Sequence, residues 1–302
     1  MSDDVTVVFT TFNPSPSFVE TVREVLRHRP VVVVDDGSSR GADVLDEAAR
    51  LGAVVVHQPE NSGIGAALNA GVRAALDGVS RFVVTFDQDS APEPETIDAL
   101  RATFDRLESA GENVAAVVPG RFAEVRQAVS SAEAPDARRV IQSGMLVPRE
   151  TFAAIGEFDE SLFIDLVDTD FELRILGQRR RIVAASTRIA HELGRTVRLR
   201  PFDRLPFTVT TMASTPFRYY YRARNRILLT RRYFRQAPLR MTRDLLVDLV
   251  YFGLILLCAR PRRAMGALLA RGLRDGVRGR GGRIPAELAR RATAISWSSG
   301  ES

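Results

Sequence analysis

A chain of 302 residues, 45% hydrophobic and 26% charged, has the composition of an ordinary globular protein, long enough for one large α/β domain or two smaller ones. Its single cysteine, Cys258, excludes an intrachain disulfide and suits a reducing, cytoplasmic compartment, and the acidic start Met1-Ser2-Asp3-Asp4 is not that of a signal peptide. The net charge of +5 conceals a division: residues 1–217 hold 23 Arg against 32 acids, residues 218–291 hold 19 Arg against four acids, and Lys is absent throughout.

In chain order, short apolar strands alternate with helical stretches. Strands are predicted over residues 5–12, 31–35, 53–57, 81–86, 114–119, 140–147 and 181–185, and helices over 17–27, 41–51, 64–76 and 94–109. Runs rich in Val, Ile and Phe suit strands buried on both faces. The alternation predicts an α/β fold with a mostly parallel central sheet covered by helices. Residues 120–139 are polar and aperiodic, which reads as a surface loop or mobile flap. After Pro216 the texture changes to long helices rich in Arg and Leu.

Ligands of such sheets bind beyond the carboxyl ends of the strands. Three ends are chemically unusual: Thr10-Thr11-Phe12-Asn13-Pro14, Asp35-Asp36-Gly37-Ser38-Ser39 and Asp87-Gln88-Asp89-Ser90. The first lacks the glycine-rich turn of a dinucleotide site, and a chain without Lys has no P-loop. Asp35 and Asp36 can accept from a base or ribose, or simply cap a turn. Asp87 and Asp89, at i and i+2 of an extended chain, point to one side and can share a hard divalent cation, or decorate a loop. Asp165, Asp168, Asp170 and Glu172 crowd around a helix predicted to start near Thr169. Asp168 falls near its N-cap, where free N–H groups keep a carboxylate ionised and fit to act as a general base. The alternative is a helix start that merely carries acids. His191 shows no ligand spacing to the other two histidines.

In order and spacing these pieces resemble an inverting glycosyltransferase of family 2. The resemblance rests on Thr10-Thr11-Phe12-Asn13-Pro14, Val34-Asp35-Asp36-Gly37-Ser38-Ser39, Asn61-Ser62-Gly63-Ile64-Gly65 and Asn69-Ala70-Gly71. It continues through Asp87-Gln88-Asp89-Ser90, Ser143-Gly144-Met145, Gly156-Glu157-Phe158-Asp159-Glu160, Phe163 to Arg174, and His191-Glu192-Leu193-Gly194. The Asp-Gln-Asp-Ser form, the Phe163-Ile164-Asp165-Leu166-Val167-Asp168 segment and the run from Pro216 to Asn225 are similar to bacterial rhamnosyltransferases of polysaccharide assembly.

The resemblance implies a GT-A fold and a set of roles. Thr10, Phe12, Asn13, Asp35, Asp36, Asn61, Gly65 and Asp87 would bind the nucleotide-sugar donor, with Asp36 and Asp35 at the base and Asp87 facing the ribose or a metal-bound water. Asp89, with His191 as a further ligand, would hold Mg2+ or Mn2+ against the donor phosphates. Ser143 and Gly144 would face the acceptor. Asp168 would be the base. The family often has Glu-Asp where this chain has Val167-Asp168, so Asp165 and Asp170 stand as alternatives. The implied donor is dTDP-L-rhamnose and the acceptor a lipid-linked or polysaccharide glycan. Rival readings are a UDP-galactofuranose or UDP-hexose transferase, or a nucleotide-sugar-binding subunit without catalysis.

The composition shift places a catalytic domain over 1–217, with a nucleotide-binding half to about residue 90 and an acceptor half after it, and a basic helical region over 218–302. Residues 245–258 are the most apolar run, but too short and too interrupted by Asp248 to span a bilayer. Flanking Arg residues suit the inner face of an anionic plasma membrane. A helical hairpin that packs on the catalytic domain or builds a homo-oligomer is the equal alternative. The acidic first part argues against nucleic acid.

Overall fold

The computed structural model describes residues 4–123, 125–130, 132–189, 196–199, 209–212 and 214–297, and for 196–199 and 209–212 the backbone alone. Contacts divide the chain into two units, residues 1–160 with 167–192, and residues 161–166 with 193–302.

The first unit is built on one sheet. Its strands are β1 (Val5–Thr11), β2 (Val31–Asp35), β3 (Val54–His57), β4 (Phe82–Asp87), β5 (Val114–Phe122), β6 (Val125–Arg126), β7 (Met145–Pro148) and β8 (Arg181–Ile189). The order is β3-β2-β1-β4-β7-β5-β6, with β8 paired to β5. β1 to β4 are mutually parallel, β7 runs against both β4 and β5, and β5 and β8 are parallel. β1 and β2 are buried along their whole length, whereas β3 at the edge is not. Continuous apolar runs in the middle and a half-exposed strand at the rim are what a sheet covered on both faces requires.

The helices are α1 (Phe18–Leu26), α2 (Ala42–Arg50), α3 (Ile64–Leu76), α4 (Pro94–Ser109), α5 (Arg149–Ile155) and α6 (Val167–Gly177). Phe9 anchors the core between Phe18 and Phe86, at ring distances of 5.4 and 5.7 Å. α3 lies so close to the sheet that a Cβ on Gly71 would come 2.3 Å from Val8 Cγ1.

Two expectations are revised. The strand expected over 140–147 is confined to its end, because Gly144 takes φ +83° and turns its N–H to the Thr85 carbonyl at 2.6 Å. The loop over 120–139 returns to the sheet: the Ala137 N–H donates to Ile182 and the Ala184 N–H to Pro135, both at 2.8 Å. Buried Gln127 staples it, donating to the Pro119 carbonyl at 3.0 Å and accepting from the Ile141 N–H at 2.7 Å.

The second unit holds the antiparallel pair β9 (Thr196–Leu199) and β10 (Val209–Met212), then α7 (Arg218–Tyr233), α8 (Pro238–Cys258), α9 (Arg262–Val277) and α10 (Ala286–Ala292). The two-residue strands β11 (Ala259–Arg260) and β12 (Ser296–Trp297) pair with each other. Tyr219, Tyr221, Phe252, Ile255, Met265 and Leu268 lie in its core. α9 packs against α7 at Gly272 and Gly276, where an added Cβ would meet the Tyr220 and Arg224 carbonyl oxygens at 2.5 and 2.6 Å. Among the described residues no helix is long and apolar enough to cross a membrane.

Residues 161–166 are held from α7. Phe163, Asp165 and Leu166 all have left-handed φ, near +65°, which costs non-glycine residues about 1 kcal/mol or more each. Asn225 Nδ2 donates to the carbonyls of Leu162, Ile164 and Asp165 at 2.9, 2.9 and 2.7 Å. Arg224 donates to Leu162 at 2.8 Å, Arg218 grips the Asp165 carboxylate at 2.7 and 3.2 Å, and the Phe163 ring stacks on Tyr221 at 4.9 Å. The Arg- and Tyr-rich run after Pro216 therefore serves as a clamp for an otherwise unfavourable backbone.

Candidate functional site

The carboxyl ends of β1, β2 and β4 lie side by side. Thr10 is the register partner of Asp87, so their side chains share a face of the sheet, and Thr11 is the partner of Asp35. The turn Asp87 to Ser90 closes with the Ser90 N–H donating to the Asp87 carbonyl at 3.0 Å. Gln142 Nε2 donates to Asp87 Oδ1 at 2.6 Å. Ser143 Oγ lies 2.8 Å from Ser90 Oγ and accepts from the Asp87 N–H at 3.2 Å. Gln88 Oε1 accepts from the Phe12 N–H at 2.8 Å and so ties the β4 turn to the end of β1. Asp87 is thus fixed and half-buried, and Asp89 is thrown out to solvent at the tip.

Ser143 and Gly144 are both buried. The part the structure gives them is to brace this turn, and Gly144 is needed there for its positive φ and for close packing, since a Cβ would come 2.3 Å from Ile189 Cδ1. Gln142 was not singled out from the sequence. It is 7% exposed, and among the described residues its Oε1 has no hydrogen-bond partner, nor has the Oγ1 of Thr10, which is 5% exposed. Buried polar atoms left unpaired cost free energy unless a ligand or water satisfies them.

The end of β2 is built as a brace. Asp36 accepts from the N–H groups of Ser62 and Gly63 at 2.7 and 3.0 Å, which fixes the Asn61 loop at the start of α3. Asp35 accepts from the Ser38 N–H at 3.0 Å and pairs with His57 Nδ1 at 3.2 Å. Asn13 Oδ1 accepts from the Ser39 and Arg40 N–H groups, both at 3.0 Å. Gly65 lets α3 approach the backbone of Asp159 and Glu160, where a Cβ would stand 3.1 Å from the Asp159 carbonyl oxygen. Asn69 holds the same turn, accepting from the Phe158 N–H at 2.9 Å and donating to its carbonyl at 3.0 Å. Phe12, by contrast, leaves a 45% exposed ring beyond the end of β1.

The acids of 165–172 divide by surroundings. Asp170 is fully buried and pairs with Arg174 Nε at 2.9 Å. Asp165 is engaged by Arg218 within the second unit. Asp168 sits in the first turn of α6, half-buried, and accepts from the Thr169 N–H at 2.7 Å.

Among the described residues no three His, Cys, Asp or Glu side chains converge to hold a metal, and His191 lies outside the described residues. The residues present still fit Mg2+ or Mn2+. Such an ion takes oxygen donors, often one or two carboxylates, with waters and substrate phosphates completing its shell. Exposed Asp89, beside half-buried Asp87, offers that chemistry.

Residues 6–145 match the family Glycosyl transferase family 2. The chain is 26% identical over 297 residues to dTDP-rhamnosyl transferase RfbF of Shigella flexneri, covering 92% of this chain and 97% of that one. Among solved structures it resembles S. aureus TarS, with a TM-score of 0.53 at 16% identity, over 75% of this chain and 39% of that longer one. The structure of S. aureus TarS 1–349 in complex with UDP-GlcNAc gives a TM-score of 0.52 at 15% identity, over 92% of each chain. At these identities the likeness to TarS speaks to the fold, a GT-A arrangement with a largely parallel sheet core.

Proposed function

We propose that this chain, a glycosyl transferase of family 2 by its match over residues 6–145, moves L-rhamnose from dTDP-L-rhamnose, with inversion, to a hydroxyl of a lipid-linked or polysaccharide acceptor. The observation that carries this reading is the braced Asp87–Ser90 turn, which fixes one carboxylate at the sheet's carboxyl edge and presents a second to solvent. The choice of rhamnose leans on the similarity to the Shigella flexneri protein over nearly its whole length.

In this reading the exposed Phe12 ring offers a stacking surface to the base, and Asp36 shapes the base site through the Asn61 loop that it fixes. The unpaired Thr10 Oγ1 and Gln142 Oε1, with Asp87, meet the ribose hydroxyls. Asp89, with His191 as a further ligand, would hold Mg2+ or Mn2+, and the bound ion would supply positive charge against the diphosphate. Asp168 takes the acceptor hydroxyl proton as that oxygen bonds to the anomeric carbon. The bond from this carbon to the diphosphate oxygen breaks on the opposite face, and the nucleoside diphosphate leaves.

The resemblance to TarS bound to UDP-GlcNAc makes a UDP-sugar the second donor reading. A thermal-shift panel of dTDP-L-rhamnose, UDP-galactofuranose and UDP-hexoses, with and without Mn2+, separates the two. The expected result is Mn2+-dependent stabilisation by dTDP-L-rhamnose, about 2.7 kcal/mol at a hundredfold excess over Kd, whose metal-dependent part is lost in Asp89→Asn. Stabilisation by a UDP-sugar alone reassigns the donor. No response to any nucleotide sugar overturns the transferase reading.

A further inference from the structure

One side of α8 presents an apolar stripe to solvent. Leu239, Leu246, Val250 and Leu257 recur seven, four and seven residues apart, and with Val247 and Leu249 beside them are 37 to 87% exposed. At about 1.5 Å per residue the stripe is roughly 27 Å long. An apolar face of this size, interrupted by Arg243 after Leu239 and unbroken by charge from Leu246 to Leu257, marks an interaction surface.

Charge selects the occupant. The four acids of residues 218–291 are counter-ions for neighbouring arginines, and two of them are buried. Asp248, on α8 itself, is 1% exposed and held by Arg222 at 2.7 and 2.9 Å and Arg226 at 2.6 Å. Asp275 is buried against Arg271 at 2.7 Å and Tyr220 at 2.9 Å. Asp244 pairs with Arg243 at 2.6 Å, and the exposed Glu287 is paired with Arg290 and Arg291. Residues 218–291 carry 19 Arg against these four acids, so the outward charge is cationic. Exposed Arg235 precedes the stripe, exposed Arg243 lies within it one turn after Leu239, and exposed Arg262 and Arg263 follow its far end. A second copy laid on the stripe would bring two cationic rims together, whereas an anionic bilayer meets both the apolar face and the arginines.

We infer that this face of α8 docks on an anionic lipid surface, with the helix lying in the interfacial plane, its apolar side among the acyl chains and its arginines among the headgroups. Nothing in this depends on sugar transfer, since binding is read without turnover.

The test is co-sedimentation of the full chain with vesicles of phosphatidylglycerol and phosphatidylcholine, and with phosphatidylcholine alone. The chain should pellet with the anionic vesicles and bind neutral ones at least about tenfold more weakly, with loss of binding in about 0.5 M salt. Leu246→Gln/Val250→Gln and Arg262→Gln/Arg263→Gln should each weaken anionic binding about tenfold or more. All four positions are on the surface, and an unchanged melting temperature verifies that the variants fold. Equal sedimentation of wild type and Leu246→Gln/Val250→Gln overturns the proposal. So does a chain that stays in the supernatant, or one whose stripe supports a dimer by light scattering without binding vesicles.

Discussion

At the scale of single residues, Asp168 is separated from its neighbours by what holds them. Asp170 is fully buried on Arg174, and Asp165 is gripped by Arg218. Asp168→Asn should therefore bind the donor within about twofold of wild type and lose about 10²–10⁴-fold in transfer. Asp170→Asn should act through stability, since it leaves the half-buried Arg174 side chain short of its counter-ion, at about 1–3 kcal/mol. Single-turnover rates with donor affinities, and thermal melts of both variants, check this; normal transfer by Asp168→Asn moves the base elsewhere. The Asp87–Asp89 turn was legible because two acids at the end of a buried strand are conspicuous. What each motif residue faces was not. Asp36, Asn13, Asn69 and Ser143 spend side-chain atoms on backbone N–H groups, and residue type and spacing cannot distinguish a brace from a ligand contact. Gln142 was missed because one polar residue between Ile141 and Ser143 carries no periodic signal.

At the scale of elements, β1, β2 and β4 were readable since both their faces are buried. The short β7 and the returning loop over 120–139 were not, because Gly144's φ and the Gln127 staple are tertiary facts. α7 shows the same limit: its helicity was expected, but not its use of Asn225 and Arg218 to hold residues 161–166. It also makes a pH prediction. Burial, the largest influence, pushes the Tyr219, Tyr220 and Tyr221 phenols above their ordinary value of 10.0, Tyr221 to about 12. The folded state then favours the neutral phenol. The stability it contributes is fully present below pH 10 and is lost as pH rises through about 12. In a tyrosinate absorbance titration, these phenols should stay neutral at pH 10 in the folded chain and ionise together with alkaline unfolding. Their ionisation near pH 10 in a chain that remains folded would contradict the packing of α7.

At the scale of the whole molecule, the charge boundary near 217 and the division by contacts differ. The former follows composition; the latter assigns 161–166 to the unit that holds α7. Composition registers which residues are basic, but not that Asn225, an uncharged residue, is bonded to three carbonyls more than fifty positions upstream. The difference bears on truncation, which is decided by the hydrogen bonds that are severed rather than by position in the sequence. A fragment of residues 1–217 keeps every motif of the candidate site but removes Arg218, Arg224 and Asn225 from residues 161–166. The left-handed positions at 163, 165 and 166 would then have lost the donors that offset their strain. Each lost hydrogen bond costs about 0.5–1.5 kcal/mol, and the segment leads directly into Val167 and Asp168. The fragment should melt well below the full chain and transfer at least about a hundredfold more slowly. Asn225→Ala in the full chain should shift both quantities in the same direction by less. Melting curves and transfer rates for the three proteins decide the matter, and a fragment as stable and active as the full chain would remove α7 from the account of how residues 161–166 are held.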